Sequence, residues 1–405
     1  MSTAARSASP NCRGSRAVDL APASLEALCE TVGAAAREGV RLEIVGGASK
    51  AGAGAPRQAR RLAMTGFSGV IDYSPSELVL TAGAGTPLSQ IEALLAAQGQ
   101  MLAFEPFDHG LLYGAPPGRA TLGGVIAAGV CGPRRLTAGG ARDHLLGFKA
   151  VSGAGESFVA GGKVVKNVTG YDLSKLMAGS WGRLAALVEV TLKVLPRPRA
   201  QATLVCDGLA PAQALGAMAA AMASSAEVGA AAHLPAGPDG AGRALTAFRL
   251  EGFEASVAAR KAMLETLLEG VRPLEEEAVA GFWRAVREAS PLGARAALWR
   301  VNAPASAAAS LATALESMGA RWLFDWAGAL TWAAHEGAPE EIRAAAAAAG
   351  GHAMLVRGPE ALRAATPMFH PQSPGVEALS QRVRRAFDPN GVFETGRFLD
   401  FVHAD

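Results

Sequence analysis

Through the first two hundred residues, apolar positions switch between helical and strand spacing, and glycine-rich breaks follow several of the strands. Leu25, Leu28, Cys29, Val32 and Ala36 recur at helical spacing, with Glu26, Glu30, Arg37 and Glu38 opposite them. That pattern predicts an amphipathic helix from an N-cap at Ser24 to a stop at Gly39. Val40-Arg41-Leu42-Glu43-Ile44 alternates as a strand and runs into Gly46-Gly47-Ala48-Ser49-Lys50-Ala51-Gly52-Ala53-Gly54. A second unit repeats the arrangement: a strand at Leu78–Thr81, then Ala82-Gly83-Ala84-Gly85. Thr86 as cap and Pro87 in the first position predict the helix after it, with Leu88, Ile91 and Leu95 on one face and Gly99 at its end. A third glycine-rich stretch spans Ala120–Gly129, and strands follow at Gly147–Val151 and Glu156–Ala160. Val188, Val190, Leu192 and Val194 alternate with Glu189, Thr191 and Lys193 before Pro196-Arg197-Pro198-Arg199 breaks the chain. A domain boundary falls near residue 200.

Beyond it the chain is alanine-rich. The order strand, helix, strand, strand, helix, strand reads at Ala297–Val301, Ser306–Met318, Trp322–Trp326, Ala329–Ala333, Glu340–Ala349 and Ala353–Val356. This is the ferredoxin-like split βαβ order, with Ser306 as N-cap of its first helix. A looser copy occupies 202–270, with strands near Thr203–Cys206 and Leu245–Leu250. Trp322, Trp326 and Trp332 stand at mixed spacing in these strands, which suits a core or a subunit interface.

Composition narrows the classes. A chain of 405 residues, half of them hydrophobic, can build two domains with separate cores. With 38 basic and 36 acidic side chains the net charge is only +2, without the basic excess of a nucleic-acid binder. Cys12, Cys29, Cys131 and Cys206 are scattered with no CxxC pair, so neither an iron–sulfur cluster nor a zinc site is expected. Reduced cysteines fit a cytoplasmic protein. Residues 1–16 are small, polar and basic with no apolar run after them, which predicts a loose tail rather than a secretory signal. Any membrane contact is expected only through partners, peripherally on the inner face.

The glycine loops carry the chemistry. A buried diphosphate needs fixed donors, and successive backbone amides in a glycine-rich turn form such a nest. The loops at 46–54, at 82–85 (with Gly83 and Gly85) and at 121–129 are the candidate donors. Helix starts near Thr86 and Leu122 would add a favourable dipole. Singly, each loop reads as an ordinary turn in a chain with 48 glycines. The NAD fingerprint GxGxxG is not met: no helix starts after the first loop, and the second lacks its third glycine.

Taken in order, four segments resemble those of the FAD-linked oxidases of the vanillyl-alcohol-oxidase type, whose flavin domain is also called PCMH-type. They are Ile44-Val45-Gly46-Gly47, Thr121-Leu122-Gly123-Gly124, Lys166-Asn167-Val168-Thr169-Gly170-Tyr171-Asp172-Leu173 and Phe387-Asp388-Pro389-Asn390-Gly391-Val392-Phe393. Gly46-Gly47-Ala48-Ser49-Lys50, Cys131-Gly132-Pro133-Arg134-Arg135 and Arg142-Asp143 narrow the likeness to the flavin-binding E subunits of bacterial glycolate oxidases. It covers 18–197 well, the last thirty or so residues moderately and the middle poorly.

The resemblance implies an α+β fold. A tail at 1–17 would precede a FAD domain of two α/β subdomains at 18–199, a ferredoxin-like cap at 200–375, and a segment at 376–405 returning to the FAD domain. Gly46, Gly47, Ala48 and Ser49 would form the first diphosphate loop. Thr121, Gly123, Gly124 and Ala127 would form the second contact, and Gly179–Leu187 would bond the adenine end. Relatives often carry Glu at Trp181 and Thr at Arg183, and Asn-Pro where Glu394-Thr395 stand. Some attach flavin through a histidine where this chain has Ala48, so FAD is expected to be non-covalent, with Cys131 a rival attachment point.

Arg134, Arg135 and Arg142 are candidates to stabilise reduced flavin or a carboxylate, or else form a solvated basic face with Asp143. Lys166, Tyr171 and Asp172 anchor a turn near the flavin or only a structural turn. The cap lacks the HxGDGNxH cluster of hydroxy-acid-oxidising relatives, and His335, His352 and His370 stand apart in sequence, expected as core or surface histidines rather than ligands. The expected function is a FAD subunit of a glycolate (2-hydroxy-acid) oxidase complex, partnered by a catalytic flavin subunit and an iron–sulfur subunit. A stand-alone flavin dehydrogenase and a scaffold that has lost flavin are the alternatives.

Overall fold

The computed structural model describes residues 19–162, 171–294 and 297–398. Its first helix, Leu25–Glu38, starts where Ser24 accepts a hydrogen bond from the Ala27 amide at 3.2 Å and stops at Gly39, whose φ of 66° suits glycine. Leu28 and Val32 of this helix pack on Leu42, Leu62, Val151 and Val188. Strand Leu42–Val45 pairs in parallel with Arg60–Ala63. The glycine loop is therefore the crossover leaving the carboxyl end of a parallel strand, where open α/β sheets bind ligands. A five-stranded antiparallel sheet follows, ordered Val70–Ser74, Val79–Gly83, Ala185–Lys193, Leu145–Ser152, Ser157–Gly161.

Two local expectations are corrected. Thr86 does not cap the next helix. Its hydroxyl accepts from Gly69 N and donates to Gly83 O, Pro87 takes the N-cap position, and the helix runs Leu88–Ala97. Likewise Ser306 lies in a short 3₁₀ turn, Ala305–Ala307, and the α-helix begins at Ala308.

From Ala200 the chain builds an eight-stranded antiparallel sheet out of two βαββαβ units. The first contributes Arg272–Pro273, Ala200–Asp207, Leu245–Gly252 and Ala230–Leu234 in spatial order; the second continues with Arg321–Asp325, Leu330–Ala334, Leu298–Asn302 and His352–Arg357. The units meet through the second strand of each, at His233 and Phe324. One face carries Trp299, Val301, Ala333, Ala353 and Leu355 into a core under the helices. Period-two alternation puts Arg300, Asn302, Trp332, His352 and Met354 on the other face, toward the first half of the molecule. The C-terminal segment returns to the start of the chain: Leu42 N donates to Val392 O at 2.8 Å, and Val392 and Phe393 enter the first helix's core. No helix among the described residues is long and apolar enough to cross a membrane.

Candidate functional site

Two glycine loops meet. A Cβ on Gly46 would stand 2.2 Å from Thr121 Oγ1, and one on Gly47 would stand 1.9 Å from the Arg119 carbonyl. Only glycine lets the first loop settle this closely on the second. Ala48 between them holds a φ of 60°, a left-handed conformation that costs a non-glycine residue roughly 1 kcal/mol and that helps consecutive amides converge. The amides of Gly47, Ala48, Ser49 and Gly124 donate to no described residue. Together these loops line a cavity of about 740 Å³ that Ala127 and Leu187 also reach.

Its polar lining is cationic. Lys50 projects into it, and burial pushes its ammonium down to about 8 although Asp108 opposes the shift. Arg397 reaches in from the C-terminal segment, donating to the Ala53 carbonyl at 3.1 Å and to the Lys50 carbonyl; burial and neighbouring Arg57 push it down to about 10. The Tyr113 hydroxyl is buried there without a partner, and burial raises it to about 12. Bare amides, an ammonium held out of water and an orphaned hydroxyl form a donor set that fits a dinucleotide diphosphate.

A second cavity of about 730 Å³ lies beyond it, and Ala128 and Trp181 line both. Trp181 takes a φ of 57° and donates to the Ala127 carbonyl at 2.7 Å, which fixes its ring between Phe369 and Phe398. The cap sheet supplies one wall through Arg300, Asn302, Trp332 and His352. His109 stands on the wall supplied by the first half of the molecule, with its Nδ1 buried and unpartnered. Burial first, then Lys50 and Arg300, holds this imidazole well below the ordinary histidine range, hence neutral.

Gly46, Gly47, Ala48, Ser49, Thr121, Gly123, Gly124, Ala127 and Leu187 are thus brought to one cavity. Gly83 and Gly85 are not. A Cβ on either would strike the Phe67 or Met64 carbonyl at 2.4 or 2.3 Å, so their smallness serves packing against the 64–68 turn. The helix start at Leu88 also lies away from the cavity, and the helix at Leu122 has only seven residues, so bare amides rather than a long macrodipole face the site. Arg135 and Arg142 line neither cavity: Arg135 faces Asp143 at 3.7 Å, and Arg142 is exposed. Asp172 caps the helix Leu173–Met177 and Tyr171 points to solvent, while Lys166 lies outside the described residues.

His352 and His370, far apart in sequence, line the second cavity together, whereas His335 pairs with Glu341 at 2.7 Å elsewhere. Sequence reasoning singled out none of Tyr113, His109, Arg300 and Arg397, and quoted Lys50 only as part of a glycine loop. None has a local signature. They converge through topology alone.

The departures at positions 183 and 394 prove reciprocal. Arg183 Nε and Nη2 donate to the two Glu394 carboxylate oxygens at 3.0 and 2.8 Å, tying the Gly179–Leu187 segment to the C-terminal run.

Residues 17–161 match the FAD binding domain family model. The chain is 36% identical over 374 residues to the glycolate oxidase subunit GlcE of Escherichia coli, covering 92% of this chain and 96% of that one. A D-lactate dehydrogenase of Anaerostipes hadrus is 32% identical over 169 residues, 41% of this chain and 32% of that protein. Among solved structures, p-cresol methylhydroxylase with substrate bound shares the fold at a TM-score of 0.68, with 14% identity over 93% of this chain and 87% of that one. Fold and cavity define the class as a PCMH-type FAD-linked oxidoreductase. Within it, the chain belongs to the family of the glycolate oxidase E subunit.

Proposed function

We propose that this chain is the FAD-carrying E subunit of a complex that oxidises glycolate or a similarly short 2-hydroxy acid. The observation that carries the reading is the meeting of the two bare loops on one cation-lined cavity that shares a wall with a second cavity under the cap. The amides of Gly47, Ala48, Ser49 and Gly124, with Lys50, would hold the diphosphate, and Ala127, Trp181, Gly182 and Leu187 would line the rest of the cofactor's path. FAD, once bound, supplies a two-electron acceptor for hydride. The chain's own residues exclude water, orient the substrate against the cap sheet and keep a neutral imidazole at His109 beside it.

Ala48 offers no nucleophile at the first loop, so the cofactor is held without a covalent bond. Electrons leave to partner chains, a second flavin subunit and an iron–sulfur subunit; a relative described as subunit GlcD of Bacillus subtilis glycolate oxidase, 37% identical over 99 residues, supports a shared flavin fold between such partners. Purified protein is expected to be yellow, to release its flavin on acid precipitation, and to co-purify with an iron–sulfur protein. Colourless protein that takes up no added FAD would remove this reading in favour of a scaffold. Bleaching of the isolated chain by anaerobic glycolate at full catalytic rate would make it a stand-alone dehydrogenase.

A further inference from the structure

Arg300 is a buried cation with no ion pair among the described residues; the Asp325 carboxyl acts on it only through space. Arg300 sits on the cap strand Leu298–Asn302, opposite Trp332 and Met354 in the sheet register, and its guanidinium lies 4.9 Å from the Trp326 ring centroid. It forms no hydrogen bond or ion pair with a described residue, although burial makes its charge costly and lowers its pKa. Other deep arginines on this face are satisfied. Arg249 holds Glu105 through two 2.8 Å bonds, and Arg357 donates to the Leu112 and Gly293 carbonyls. A fold that pairs those arginines and leaves Arg300 open to a cavity has kept its fork for something that enters the cavity.

The rest of that wall narrows what enters. Asn302, two residues on and on the same face, lines the cavity with a side-chain amide, and His109 lies near enough across the cavity to feel the Arg300 charge. No carboxylate from the cap sheet lines it, and Glu377 on the far wall is held by Arg384 at 2.9 Å. Of the cavity's three arginines, Arg183 and Arg384 are held by Glu394 and Glu377, so the cap wall presents the Arg300 fork beside Asn302 and His352, with His109 opposite, which suits a small anion carrying a neighbouring hydroxyl. A guanidinium fork matches a carboxylate in two-point geometry.

We propose that Arg300 is the carboxylate anchor of this cavity, with Asn302 and His109 facing the adjacent hydroxyl of a short 2-hydroxy acid. The assignment rests on the function proposed above. It places substrate recognition on this chain's own cap rather than on a partner subunit.

Oxalate, a two-carbon dianion with no hydrogen to lose, is the probe, and the measurement is its equilibrium binding to the purified full chain by calorimetry and by change in the flavin spectrum. Wild type should bind it. Arg300→Met should bind about ten- to a hundredfold more weakly at unchanged flavin content, the range for losing hydrogen bonds to a charged group. If Arg300→Met does not fold, Arg300→Lys, which keeps charge but not the fork, should bind at least about threefold more weakly. Affinity equal to wild type in whichever variant folds would overturn the anchor. Flavin-containing wild type that binds no oxalate would also overturn it, while leaving the flavin function standing. Flavin-free protein that still binds oxalate through Arg300 would sustain the anchor and remove the flavin reading.

Discussion

Lys50 carries the sharpest consequence at the residue scale. Its ammonium is driven to about 8 by burial, so without a bound anion it loses its proton just above neutrality. A diphosphate beside it would favour the charged form and lift that value. Below about pH 8 both states are charged and affinity for FAD should be flat; above it, binding must take up a proton and the Kd should rise by up to about tenfold per pH unit. Lys50→Met should weaken FAD by about ten- to a hundredfold near neutrality and abolish the alkaline slope. Flavin-fluorescence titrations at several pH values decide this, and a slope that survives the substitution would place the titrating group elsewhere. The two loop glycines differ as test sites. A side chain at Gly47 must displace the Arg119 carbonyl, so Gly47→Val disturbs the fold itself, whereas a Cβ at Gly124 meets Thr121 Oγ1 at 3.1 Å and points toward Lys50 Nζ at 3.9 Å. Gly124→Asp should therefore leave the circular dichroism spectrum near wild type while flavin content falls to near zero. Retained flavin would take Gly124 out of the site.

At the scale of elements, the sequence was legible wherever periodicity and local chemistry agreed. Helix Leu25–Glu38 stands between the cap and the stop that its residues announce, and the second βαββαβ unit lies within a few residues of the predicted bounds. Strands Arg60–Ala63 and Val70–Ser74 were missed because neither shows a run of alternating apolar positions; Val70 and Ile71 are exposed on an edge strand. Thr86 was misread because a threonine before proline looks like a cap, yet its hydroxyl is consumed by the Gly69 amide and the Gly83 carbonyl. The glycine loops that line the first cavity could be read because their residues are consecutive in the chain. The second cavity could not, since Arg300, His109 and His352 share no segment. The pairing of Arg183 with Glu394 was hidden for the same reason, across 211 residues. Because Glu394 is about a third exposed, solvent screens the pair, and each alanine substitution should cost only about 1 kcal/mol. The double substitution should cost little more than either single one in thermal midpoint. Additive losses would mean that the two segments are tied by something else.

For the whole molecule, the second cavity exists only while the cap sheet stays seated on the FAD domain, because each supplies a wall. Four charges span that boundary. Glu105, from the loop after the Leu88–Ala97 helix, accepts two bonds from Arg249 and a third from the Arg134 amide, and Arg134 reaches back to Glu251 at 2.8 Å. Trp326 Nε1 adds a bond to the Gly132 carbonyl at 3.1 Å, and Arg363 one to the Gly54 carbonyl at 2.8 Å. The Arg249 side chain is only 6% exposed, so removing Glu105 takes away its two hydrogen bonds and leaves it Glu251, 3.8 Å from its Nε, which should cost about 2–4 kcal/mol. Glu105→Ala should therefore lower the unfolding midpoint strongly and open the exposed Pro196–Arg199 linker to trypsin. Adding Arg249→Met to Glu105→Ala should restore part of the loss, since an apolar side chain there avoids the desolvation that the under-paired cation suffers. If the double variant is as unstable as Glu105→Ala, the penalty comes from lost packing rather than stranded charge. Restored stability with the linker still open to trypsin would show that the ion pairs orient the cap while apolar contact holds it.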